Sequence, residues 1–406
     1  MPPGITFGPP ETNSPLSNRN QRRTVVTVQD KELVPGLAGI PAAESSISYI
    51  DGQAGILEYR GHRIEVLAEK SNFEETSWLL LNGKLPTRSE LDAFRAKLSG
   101  YRSIPAEAVD VISRFPKDGH PMAALQAGLA VLGMYSPDID VHDAAQREDA
   151  CARLIAATPT VVAAFARARA GQDFVAPDPN LNTAANFLYM VTGDKPDDLA
   201  AHVLDVCFVL HADHTMNAST FAARVVASTE ADPYSVCSSA VGALKGPLHG
   251  GANERVLQQL EAIGSADAVP AWLEKVTSEK GKIMGFGHRV YKTKDPRAKN
   301  LQVLVREVRE KLGSTPVYDT ALALEDAVVA KLGGKGIHPN VDFFSGIVYE
   351  KLGIPTDFFT PIFAMARVTG WLAHWSEQME DNRLFRPSQI FTGGHDAVYT
   401  DIDSRG

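Results

Sequence analysis

Cysteine is scarce, with three in 406 residues. Cys151, Cys207 and Cys237 lie in apolar, helical-looking stretches and lack the close pair spacings of zinc or redox sites, so they read as buried thiols. No run of about 18 apolar residues is present to suggest a membrane span, and the N-terminus lacks the apolar core of a secretory signal. The sequence thus predicts a soluble, cytoplasmic protein. An excess of cations is missing too: 40 Lys and Arg against 49 Asp and Glu leave a net charge of -9, which argues against a general nucleic-acid binder. There is no fixed-period repeat and no Walker loop, and GFGHRV lacks the third glycine of a dinucleotide fingerprint.

What is present is apolar material for sizeable cores, 44% of the residues, enough for two or three domains. The first 32 residues are rich in Pro, Asn and Ser and are expected to be a flexible tail. Between Ile47 and Ile64, β-branched and aromatic residues alternate with Asp-Gly, Ala-Gly and Arg-Gly breaks, predicting a short β-hairpin. Helical signals then take over. Asn72 caps one apolar run, and Thr87 with Glu90 forms a capping box for the next helix. Leu199, Val203, Val206 and Leu210 recur at helical spacing, as do Leu301, Val305, Val308 and Leu312. The fold class read from this pattern is mostly α.

Chemistry concentrates in a few stretches. In MGFGHRVYKTKDPRAK, Gly285 and Gly287 free the backbone around His288, ahead of Lys292 and Arg297, as an anion-holding loop requires. A plain solvated loop has the same composition. In LKGPLHGGANERV, His249 precedes a helix whose dipole disfavours imidazolium, so it is either a neutral hydrogen-bond donor or a turn histidine. LHADHTMNAST sets His211 and His214 three apart on a helix end with Asp213 between them. That spacing could hold a metal, but a third ligand at a defined offset is missing. Asp342 falls in a first helical turn, where dipole complementation favours the anion, while Val341, Phe343 and Phe344 would desolvate it and make it a base. Arg367 lies on a strongly apolar helix and Arg386 follows in LFRPSQIF. With Arg297 they are candidates for bidentate carboxylate recognition or for structural ion pairs.

Together these segments, with FPKDGHPM, PNLNTAANFLYM and VDFFSG, resemble the citrate synthase family from about Leu33 to Phe391. The resemblance implies an all-α fold with a large helical domain (33–250 and 354–406) and a smaller one (251–353), working as a homodimer. It implies condensation of acetyl-CoA with oxaloacetate, an acyl transfer that needs no separate cofactor and no metal. Asp342 matches the base, His249 the enol-stabilising donor and His288 the carbonyl polariser. His214, Arg297 and Arg367 match oxaloacetate-binding residues, and Arg386 matches one supplied by the partner subunit. Gly285, Gly287 and Lys292 match the CoA-contacting loop. Two alternatives stand beside this reading: 2-methylcitrate synthase, which acts on propionyl-CoA, and a helical metallohydrolase built on His211, Asp213 and His214. Thr215 departs from the family's usual acidic residue. The short N-terminus leaves no room for an extra β domain, so NADH regulation is not expected.

Overall fold

The structure, a computed structural model, describes residues 33–288 and 290–405, so the expected tail over 1–32 falls outside the described residues. Among the described residues, sixteen α-helices, a few single-turn 3₁₀ helices and one small sheet make up the regular structure, which makes the fold all-α. The hairpin signal yields three antiparallel strands, Ser48–Asp51, Ile56–Tyr59 and His62–Arg63. The Asp51 carboxylate caps the first turn by accepting from Gln53 and Ala54 N–H, each at 2.9 Å. Arg60 and Gly61, both at positive φ, make the second turn between the paired Tyr59 and His62, as a two-residue hairpin of the primed type requires.

The helix starts follow their capping chemistry. Asn72 accepts from Glu75 N–H, and the Thr87–Glu90 capping box closes in both directions. Asp197, Asn217 and Asp295 cap the helices Asp198–His211, Ala218–Ala227 and Pro296–Leu312. Among the described residues only Ala144–Arg169 is long and apolar enough to cross a membrane, and most of its apolar stretch is buried inside the protein. It is a core helix. Beside it runs Phe359–Glu380, whose Trp371 and Trp375 are fully buried.

Residues 43–385 form one compact unit, whereas 386–405 group with 33–42. This second unit has little regular structure beyond two single-turn 3₁₀ helices. It exposes Leu33, Ile390, Phe391, Val398, Tyr399 and Ile402.

Candidate active site

The glycine-rich loop and the helix carrying Asp342 are tied together by backbone. Gly287 N–H donates to His338 O and Asn340 N–H to Gly285 O, both at 2.9 Å, and Asn340 Nδ2 reaches Gly287 O at 3.0 Å. Gly285 sits at φ 78°, and a Cβ there would lie 2.7 Å from Val256 Cγ2, so both its conformation and its packing demand glycine. The hairpin supports the loop from the other side: Lys292 N–H donates to Gly52 O at 2.8 Å.

Backbone amides fix the tautomers of two histidines. His288 Nδ1 accepts from Val290 N–H at 3.0 Å and Tyr291 N–H at 3.2 Å, which leaves the proton on Nε2. His249 Nε2 accepts from Ser219 N–H at 3.2 Å, which leaves the proton on Nδ1. The Ser219 hydroxyl lies 2.8 Å from the same nitrogen and accepts from Trp371 Nε1 at 3.2 Å. Burial pulls both histidines down to about 4, with Arg367 adding to the effect on His249 and Arg297 to that on His288. Both are neutral donors at pH 7. His249 lies just ahead of its helix, Ala252–Ile263, whose N-cap is Gly251. Burial therefore acts in the same direction as the dipole expected from sequence, both favouring the neutral ring.

His214 is not on a helix. The helix expected to carry both LHADHT histidines ends at His211, so the shared face fails and the two rings diverge. His211 Nδ1 contacts Cys207 O at 2.6 Å, while His214 Nε2 meets the Tyr291 hydroxyl at 3.2 Å. Asp213 faces His374 and Ser48. No grouping of three or more His, Cys, Asp or Glu side chains suited to a metal occurs among the described residues. The His214 and His288 rings meet edge to face, 5.3 Å between centroids. Burial, followed by Arg297 and His288, holds His214 well below the usual histidine range.

Two buried guanidiniums flank these rings. Arg297 makes a bidentate pair with Asp295, Nε to Oδ1 at 3.1 Å and Nη2 to Oδ2 at 2.8 Å. Arg367 donates from Nε to His211 O at 2.7 Å and lies over Phe363, but its buried Nη2 has no partner among the described residues. Burial lowers it to about 10 against the pull of Asp213, so it remains a cation. A buried guanidinium with an N–H still to donate is suited to an anionic partner.

Asp342 is only partly exposed, in the first turn of Val341–Lys351, with its N–H on the Asn340 cap at 3.1 Å. The sequence left dipole and desolvation in balance. Burial wins and pushes the carboxyl up to about 6, against the opposing pull of Arg297. Lys292 is exposed beside the loop. Arg386 is exposed in the segment 386–405, outside this unit. Sequence reasoning missed Ser219, Tyr291 and Asp295. Asp295 alone had a local signal, as an acid before Pro at a helix start.

The site can thus hold an anionic carbonyl compound between cations and neutral donors, beside a carboxylate of raised basicity. The citrate synthase C-terminal domain family model matches residues 36–388. The citrate synthase of Synechocystis sp. is 53% identical, covering 91% of this chain and 93% of its own. The solved citrate synthase of Pyrobaculum aerophilum superposes with a TM-score of 0.86 at 43% identity, over 92% of this chain and 95% of its own. A citrate synthase from Thermoplasma acidophilum, solved in ternary complex with carboxymethyl coenzyme A and oxaloacetate, has a TM-score of 0.87 at 34% identity, over 92% and 100%. Agreement in sequence and in backbone over nearly the whole described chain establishes that it belongs to the citrate synthase family.

Proposed function

We propose that the chain condenses acetyl-CoA with oxaloacetate and hydrolyses the resulting citryl-CoA to citrate and CoA. The observation that carries this reading is a carboxyl raised to about 6, Asp342, electrostatically coupled to Arg297 and Arg367, with His214, His249 and His288 in the same field. At pH 7 the Asp342 carboxylate removes a methyl proton from the thioester. The His249 Nδ1–H stabilises the enol oxygen as its charge develops. His288 Nε2–H polarises the oxaloacetate carbonyl, whose carbon the enol carbon attacks to form the new C–C bond. Arg297, Arg367 and His214 hold the carboxylates, the idle Arg367 Nη2 being free to donate. Water then cleaves the thioester and CoA departs as the thiol. Gly285, Gly287 and Lys292 follow the CoA chain and its phosphate.

The division into a small domain, 251–353, and a large one belongs to the same proposal. It puts His288, Arg297 and Asp342 on one side and His214 and Arg367 on the other. So does a cytoplasmic homodimer in which Arg386 serves the neighbour's site, a reading supported by its exposure and by the apolar residues exposed after it. The divergence of His211, Asp213 and His214 gives the metallohydrolase reading no support.

The test is thiol release from acetyl-CoA. It should require oxaloacetate, fall about 10²–10⁴-fold in Asp342→Asn, and decline as pH drops through about 6. Turnover without oxaloacetate, or an unimpaired Asp342→Asn enzyme, would sink the assignment. With propionyl-CoA as competitor, kcat/KM should favour acetyl-CoA, within the roughly 1–3 kcal/mol that one methylene can discriminate.

A further inference from the structure

The acid between the two histidines of LHADHT has no part in the chemistry above, yet side chain and backbone are both held. Asp213 is fully buried. Its Oδ2 accepts from the Ser48 hydroxyl and, at 3.0 Å, from Thr215 N–H. Its Oδ1 lies 3.4 Å from Nε2 of buried His374, without hydrogen-bond geometry. Arg224 Nε donates to His374 Nδ1 at 3.1 Å, so the His374 proton sits on Nε2 and faces the carboxylate. Arg224 is itself fixed by Glu377 and Gln378.

The backbone around Asp213 is clamped as well. The Tyr59 hydroxyl donates to Asp213 O at 2.9 Å and accepts from Asp213 N–H at 3.1 Å. From the helix Phe359–Glu380, Gly370 N–H donates to Ala212 O at 3.1 Å. A Cβ at position 370 would stand 2.4 Å from that oxygen and 2.5 Å from Asp213 Oδ1. These contacts surround a strained residue. Thr215 has φ 51°, a left-handed conformation that a β-branched side chain adopts only when its neighbours over-determine it. Its N–H is held by Asp213 Oδ2 and, at 3.1 Å, by Ser48 Oγ. The same turn carries His214 off the helix end and into contact with Tyr291 and His288.

We propose that Asp213 is a positioning residue: its carboxylate, seated by Ser48 and His374, sets the strained turn at Thr215 and thereby aims His214 at the oxaloacetate site. The proposal rests on the functional reading above. It also predicts a sign that electrostatics alone does not. Asp213 is a negative charge near Arg367, so neutralising it would by Coulomb's law tighten binding of a dianion. Loss of aim weakens it instead.

Asp213→Asn should therefore raise KM for oxaloacetate about tenfold while changing KM for acetyl-CoA less than twofold. His374→Gln should shift oxaloacetate in the same direction, and the double variant should fall short of the product of the two, because both act through one carboxylate. Should Asp213→Asn fail to fold, Ser48→Ala carries the test, with a rise in oxaloacetate KM of about threefold expected from loss of one hydrogen bond. An oxaloacetate KM that is unchanged or lower in the folded variants overturns the proposal, and so does a parallel rise in both KM values, which general loosening would produce. Absence of oxaloacetate-dependent turnover in the wild-type enzyme overturns instead the functional reading on which it stands.

Discussion

In the first turn of a helix a carboxylate is ordinarily favoured as the anion, yet burial pushes Asp342 up to about 6. The two effects have opposite signs, and sequence order alone cannot rank them because desolvation depends on chain brought in from elsewhere. A raised folded pKa has a thermodynamic consequence. The fold favours the protonated acid, so this contribution to stability is complete below the unfolded carboxyl value of 3.8 and is lost as pH rises through about 6. At pH 8 the ionised group therefore destabilises the protein, by at most about 3 kcal/mol and less after solvent screening of its exposed part. Asp342→Asn, neutral throughout, should be the more stable protein at pH 8 in chemical denaturation, and the difference should vanish near pH 4. A variant no more stable than wild type at pH 8 would show that the carboxyl is not held at a cost.

At the level of elements, the helices were legible because their signals are local. Val203, Val206 and Leu210 are buried as their spacing requires, and Thr87 and Glu90 close their capping box. Among site residues, His249, His288 and Asp342 stood out through the glycines or apolar residues around them. The end of Asp198–His211 was not legible, since the tertiary clamps at Tyr59, Gly370 and His374 leave no trace in the neighbouring sequence. Nor was the role of the small sheet. Its tip abuts the His288 loop so closely that a Cβ at Gly52 would lie 2.3 Å from Val290 O, in the peptide group whose N–H, that of Tyr291, donates to His288 Nδ1. Gly52→Ala should shift that loop and lower kcat by about 10–100-fold, with the far-UV helical signal preserved. Wild-type kcat in this variant would mean that the hairpin merely caps the fold.

For the whole molecule, the proposed assembly makes a prediction that no single site can. If Arg386 acts in the partner's site, then Arg386→Ala and Asp342→Asn chains, each inactive alone, should regain up to about half of wild-type activity per dimer when combined as heterodimers, because one of the two sites is then intact. Purified, verified heterodimers that stay inactive would place Arg386 elsewhere. A last consequence follows from the hydrogen bonds between Gly285, Gly287, His338 and Asn340. They tie the segments of His288 and Asp342, the proposed carbonyl polariser and base, to one another, whereas His249 is seated on Ser219 and Trp371, in helices of the surrounding bundle. On the proposed function, electrophile activation and proton abstraction would thereby be geared together: a movement of this piece would arm or disarm both at once, and the thioester would not be enolised by a base that has left its electrophile behind.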